Sequence, residues 1–271
     1  MSEVEVRYIT LPPTADEIAI LSLNRPEVAN AWNRELLLSL THAVQEISTR
    51  ASCRLLVIRG KGSHFSAGAD LSWMQASAKL SFEENVQEAK LLTTLFESVA
   101  HCPFPVVGVT QGAAYGGAVG LLACCDYVLA ETQSKFCLSE VRLGILPAVI
   151  MPYLARKIPA GHLRRLCLSG QVFSAQQAKK IGLVQITSAK ETLETTLHKE
   201  IEALLRCSPQ AQRSAKALLS HFLIPVYPQS EHTAQVIATA RSSSDAQQGF
   251  AAFFAKQQSP WCCEVPEDLL K

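Results

Sequence analysis

The chain has 271 residues, 48% hydrophobic and 18% charged, with 25 Lys+Arg against 24 Asp+Glu and a net charge of +1. That balance excludes a nucleic-acid surface built on phosphate neutralisation, an acidic disordered tail and a polybasic membrane anchor. Such apolar content, with only 13 Gly and 13 Pro, excludes intrinsic disorder and collagen-like repeats.

Met1 to Thr10 carries Glu3, Glu5 and Arg7 and has no apolar signal-type core, so the reading is of a cytoplasmic protein without a secretory leader. Short β-branched or apolar runs at 17–23, 54–60, 105–110 and 126–130 predict strands. Between them, 33–50 puts Leu36, Leu40, Ala43, Val44 and Ile47 on one helical stripe. Likewise 82–100 turns Leu92, Leu95, Phe96 and Val99 inward and leaves Glu88 on the wet face. Strand–helix alternation of this kind predicts an α/β architecture. The longest apolar stretch, 113–125, is too short and too glycine-containing to span a bilayer, so no membrane partner is expected.

Past Gly170 the character changes. Ser174 is a natural N-cap for a helix closed by Gly182, and Leu183 to Thr187 is a last short apolar run. Then 192–206, 209–220 and 231–257 all read as helix. The expected division is an α/β core over 1–190 and a helical C-terminal region over 191–271.

The nine cysteines include the adjacent pairs Cys124-Cys125 and Cys262-Cys263 but no CxxC spacing, so they read as reduced, mostly buried thiols. The seven histidines show neither HxxxH nor HxH spacing, and neither a metal site nor a Ser/His/Asp triad is expected.

Two glycine-rich turns follow predicted strands. One is Phe65-Ser-Ala-Gly-Ala-Asp-Leu71; the other is Gln111-Gly-Ala-Ala-Tyr-Gly-Gly-Ala-Val-Gly120, which leads into an apolar helix. Small residues at a strand-to-helix turn let the backbone approach a ligand, and free N–H groups at a helix start donate to anions. Neither turn matches the dinucleotide or phosphate-loop fingerprints. Taken alone, the same glycines suit close packing of a helix on a sheet equally well.

Their combination carries more. Leu23-Asn-Arg-Pro26, FSAGADL at 65–71, GAAYGGAVG at 112–120 with Cys125-Asp126, Phe136-Cys-Leu-Ser-Glu140, Leu143-Gly-Ile-Leu-Pro147 and the closing 249–256 segment occur in order. Together they resemble the enoyl-CoA hydratase/isomerase (crotonase) superfamily. The resemblance implies a spiral of ββα turns followed by helices that assemble a homotrimer or a dimer of trimers. It implies an acyl-CoA thioester substrate, and no cofactor beyond the coenzyme A that the substrate carries. It also implies an oxyanion hole from the backbone N–H groups of Ala69 and Gly117, with Glu140 as general acid/base.

By the same resemblance, Val28, Ala29 and Ala31 lie along coenzyme A. Ala67, Gly68, Asp70, Leu71, Gly116, Leu143 and Pro147 line the substrate channel, and Phe253 and Lys256 meet the adenine and 3′-phosphate of a neighbouring subunit's ligand. Asp70 reads first as a helix cap, with a coenzyme A contact second. Trp73, Met74 and Tyr115 either shape the acyl pocket or belong to the core.

The sequence departs from the typical hydratase at one point. Position 120, where such enzymes carry a first glutamate, is Gly, and Glu140 matches only the second. One glutamate suffices for a double-bond isomerase, which shuttles a single proton. The wording at 65–74, 116–126 and 136–153 is similar to hydratases of branched, carboxylated acyl-CoAs of the glutaconyl type, which also lack the first glutamate. Hydration is the leading expectation, with Δ3,Δ2-isomerisation or silent acyl-CoA binding as alternatives. A second substrate carboxylate calls for a cation, for which Arg142 is one candidate; an ordinary surface arginine is the other reading.

Overall fold

The computed structural model describes residues 2–77, 79–223 and 230–261. Strand β1 (Val4–Leu11) pairs antiparallel with β2 (Asp16–Leu23), and α1 (Arg34–Thr49) crosses over to β3 (Cys53–Gly60), parallel to β2. Two helices follow, α2 (Leu71–Ser77) and α3 (Phe82–Ala100), before β4 (Val106–Thr110) joins β3 in parallel. The chain continues through β5 (Ala113–Tyr115), α4 (Gly117–Cys124), β6 (Tyr127–Glu131) and β7 (Lys135–Cys137). A 3₁₀ turn at Glu140–Leu143 leads to α5 (Met151–Lys157), α6 (Ala160–Ser169), β8 (Phe173–Ser174), α7 (Ala175–Lys180) and β9 (Ile186–Ser188). The rest is helical: α8 (Leu193–Leu205), α9 (Pro209–Leu223), α10 (Ser230–Arg241) and α11 (Ser244–Phe254).

The larger sheet has the order β1-β2-β3-β4-β6-β9, parallel except at β1, and a smaller sheet has the order β5-β7-β8. The predicted α/β class is what the structure has. Strand β3 shows why its sequence reads as one apolar run. Leu56 and Ile58 enter the core under α1 and α3, while Leu55 and Val57 join Ile18, Val107, Val109 and Leu129 beneath Leu193 and Leu197 of α8. A parallel strand covered on both faces has no polar side to alternate with.

Three expectations need correction. Strand β1 was not anticipated; Val4, Val6 and Tyr8 alternate with exposed Glu5, Arg7 and Ile9, as an edge strand with one wet face does. The single helix expected over 231–257 is two, because the Ser242 and Ser243 hydroxyls bond back to the carbonyls of Ala238 and Ala240 and Ser243 then caps α11 through the Ala246 N–H. Glu88 is not on a wet face: its side chain is only 12% exposed, receives the Trp73 indole N–H at 2.9 Å and pairs with Arg34. Among the described residues seven cysteines are free, six of them buried, and Cys262 and Cys263 lie outside those residues. No described helix is long and apolar enough to cross a membrane.

Candidate active site

The segment 65–71 runs alongside β5. Ser66 N–H donates to the Ala113 carbonyl at 3.0 Å, and Tyr115 N–H donates to the Ser66 carbonyl at 3.1 Å. The buried Ser66 hydroxyl donates to the Asn30 carbonyl at 2.8 Å and accepts the Gly68 N–H at 3.1 Å. On the other side, Trp32 N–H donates to the Gly68 carbonyl (2.7 Å) and Asp70 N–H to the Trp32 carbonyl (2.8 Å). The Gly68 N–H and carbonyl and the Asp70 N–H on either side of Ala69 are thus occupied, while the Ala69 N–H itself has no partner among the described residues.

Gly68 brings this turn against the next. At its φ of +92° a Cβ would be strained and would sit 3.0 Å from the Tyr115 carbonyl oxygen. Gly116, at φ +55°, donates its N–H to the Cys137 carbonyl (2.9 Å) and turns the chain into α4. Gly117 opens that helix, and its N–H also has no partner among the described residues, as befits the first turn of a helix. Two unsatisfied backbone donors therefore stand on adjoining turns and border one cavity.

Glu140 faces the same place. A Cβ on Gly116 would lie 3.4 Å from Glu140 Oε1, so the carboxyl rests against the glycine turn. Its Oε2 is sealed from solvent and has no hydrogen-bond partner among the described residues. Burial pushes this carboxyl up from the ordinary 4.5 to about 7, and the hydrogen bond from its own backbone N–H only partly opposes that. The 3₁₀ turn that carries it is clamped by α11, because Gly249 lies directly on Leu143 and Gly144 on Asp245. A Cβ on either glycine would come within 2.5 Å of a backbone oxygen.

The cavity measures about 1070 Å³ and is mainly apolar. Of the residues predicted for the site, it brings together Val28, Ala31, Ala67, Gly68, Ala69, Asp70, Leu71, Tyr115, Gly116, Gly117, Glu140, Leu143, Pro147 and Phe253. Two do not line it. Ala29 adopts φ +54° and spends its carbonyl on the Ala67 N–H (2.9 Å); Lys256, also at φ +54°, follows the end of α11. Trp73 and Met74, left open between pocket and core, both line the cavity.

Asp70 is first a cap. Its Oδ1 accepts the Ser72 N–H and hydroxyl at 2.9 and 2.6 Å, and its Oδ2 pairs with Arg25 at 3.1 Å. Burial raises this carboxyl, but the bonds from Ser72 and Arg25 outweigh it and hold the group below the ordinary range. Asp70→Ala is therefore expected to cost about 1 kcal/mol of stability, read as a lower melting temperature.

At position 120 the structure explains the missing glutamate. A Cβ there would fall 2.1 Å from Ile150 Cγ2, so this site admits no side chain. Apart from Asp70, which is already engaged, Glu140 is the only carboxylate lining the cavity among the described residues.

Sequence reasoning did not single out Trp32 or Arg241, both of which line the cavity. Trp32 is buried against Gly117. Arg241 looks in the sequence like the partner of Asp245 four residues on, but the helix break at 242–243 separates them, and no ion pair forms between them. Arg142 is exposed at the cavity's edge, its stem lying against Gly170.

A mixed α/β fold that sets two unpartnered backbone donors and a buried carboxyl of raised pKa on one cavity has the means to stabilise an anion and to exchange a proton there. The model of the enoyl-CoA hydratase/isomerase family matches residues 14–263, and the chain belongs to that family. It is 31% identical over 245 residues to the 2,3-dehydroadipyl-CoA hydratase of Escherichia coli, covering 89% of this chain and 93% of the relative. It is 30% identical over 247 residues to the crotonyl-CoA hydratase of Syntrophomonas wolfei, covering 90% and 94%. An enoyl-CoA hydratase structure from Shewanella pealeana superposes with a TM-score of 0.76 at 34% identity, covering 94% of this chain and 95% of that one. The fold is that of the crotonase family.

Proposed function

We propose that the protein is an enoyl-CoA hydratase that adds water across the double bond of a 2-enoyl-CoA thioester. The observation that carries this reading is the Glu140 carboxyl, sealed from solvent against Gly116 beside two free backbone donors. The thioester oxygen takes the N–H groups of Ala69 and Gly117. Glu140, as carboxylate, removes a proton from a water whose oxygen attacks the β-carbon. The double-bond electrons move through the α-carbon onto the thioester oxygen, where the two donors stabilise the enolate. The enolate then collapses and takes the proton from Glu140 at the α-carbon. Water has been added and the carboxylate is restored.

A carboxyl that titrates near 7 suits both halves, because proton exchange is most efficient when the group's pKa lies near the working pH. The names of the two hydratase relatives support hydration. No second carboxylate is needed, and the chemistry calls on no cofactor beyond the coenzyme A of the substrate. A homotrimer or dimer of trimers suits this reading, and exposed Leu168, Leu218 and Phe253 offer apolar surface for it.

A second reading, Δ3,Δ2-isomerisation by Glu140 alone, is favoured by the filled space at Gly120. Turnover in ¹⁸O-water separates the two. A hydratase places the label at the β-carbon of the product; an unlabelled, rearranged enoyl-CoA would overturn the hydratase reading.

A further inference from the structure

The cavity contains a cation that the proposed hydration does not use. Arg241, the last residue of α10, lines it together with Leu92, Ile237 and Phe250. Its Nη1 is sealed from solvent, and among the described residues it has no hydrogen-bond partner and no carboxylate pairs with it. The guanidinium stands over the Trp73 ring, whose centroid lies 6.0 Å from the guanidinium carbon. Trp73 is itself held by the bond from its indole N–H to Glu88, and Glu88 is already neutralised by Arg34.

Burial alone lowers the guanidinium to about 10; no neighbouring charge offsets it. A buried charge without a counter-ion costs several kcal/mol. Arginine cannot shed that cost by losing its proton near neutral pH, so an anion must supply the balance when the site is filled. The phosphates of coenzyme A are strongly hydrated and suit the open rim, where exposed Arg142 stands. A guanidinium whose Nη1 is sealed, set over Trp73 in a cavity that Leu92 and Ile237 also line, instead suits an anion delivered at the end of an apolar chain.

We infer that Arg241 is the receptor for a carboxylate at the far end of the acyl group, so that the substrate class is a carboxylated 2-enoyl-CoA. The inference rests on the acyl-CoA reading of the same cavity. Glutaconyl-type and longer enedioyl thioesters fall within this class; plain aliphatic enoyl thioesters leave the guanidinium unpaired.

The test compares a matched pair, hex-2-enoyl-CoA and 2,3-dehydroadipyl-CoA, on the wild type, Arg241→Met and Arg241→Lys. A buried charge-assisted pair predicts that the wild type favours the carboxylated thioester by about 10²-fold in kcat/KM. Arg241→Met is expected to erase that preference, lowering kcat/KM for 2,3-dehydroadipyl-CoA by about 10²-fold more than for hex-2-enoyl-CoA, and Arg241→Lys to keep part of it. Equal wild-type kcat/KM for the two thioesters would overturn the inference, as would an equal loss on both in Arg241→Met. Binding of the saturated pair, adipyl-CoA and hexanoyl-CoA, gives a readout independent of catalysis. If neither enoyl thioester is hydrated but adipyl-CoA still binds more tightly through Arg241, hydration falls and the receptor stands. If Arg241→Met does not fold, the wild-type discrimination decides alone.

Discussion

Glu140→Gln is expected to lower turnover of a 2-enoyl-CoA by about 10²–10⁴-fold while leaving acyl-CoA binding largely intact. The amide keeps the shape of the side chain against Gly116 but can neither take a proton from water nor return one to the α-carbon. Steady-state kinetics with binding of a saturated acyl-CoA checks it, and unchanged turnover would remove Glu140 from the mechanism.

The same variant carries a pH signature. In the folded protein the carboxyl titrates near 7, against an ordinary 4.5. The folded state therefore holds the proton where the unfolded state has lost it, and stability falls as pH rises from the ordinary carboxylate range to about 7. Above that point the cost is constant and on the order of 3–4 kcal/mol, since each pKa unit is worth about 1.4 kcal/mol. Glu140→Gln has no such titration. Its melting temperature relative to the wild type should therefore climb between about pH 5 and pH 7 and then level off. A parallel pH dependence in the two proteins would show that the carboxyl is not buried as described.

Gly120→Ala is expected to destabilise the protein even though alanine is the better helix former by about 1 kcal/mol. The new Cβ would fall 2.1 Å from Ile150 Cγ2 and 2.7 Å from Ile150 Cβ, close to Phe96 as well. Overpacking of this kind costs about 1–3 kcal/mol, and for a chain of this size each kcal/mol lowers the melting temperature by about 2–4 °C. Pairing the change with Ile150→Ala should recover part of the loss, because the two side chains compete for one space. If Gly120→Ala melts at the wild-type temperature, the helix has room to shift and position 120 could accept the carboxylate that typical hydratases carry there.

Much of the fold was legible because its elements write their own periodicity. The run 54–60 is apolar on both faces, and α1 and α3 each carry a single stripe, so strand and helix followed from spacing. The three-residue strands β5 and β7 are too short for any period to register, and their pairing with each other is a tertiary fact. The 231–257 segment misled because serine hydroxyls can end a helix by bonding to its carbonyls, which a stripe of apolar residues does not reveal.

The site divides in the same way. By itself the sequence offered the two glycine turns, each on its own strand-to-helix connection, because those depend on residue type and local order; Glu140 entered through the resemblance to the crotonase superfamily, since no local pattern separates it from an exposed glutamate. Only the tertiary structure decided that Ile150 fills the space at Gly120 and that Arg241, in the cavity that Glu140 borders, has no ion-pair partner among the described residues. Steric exclusion and the absence of a counter-ion are properties of what long-range folding brings near, and no local pattern records them.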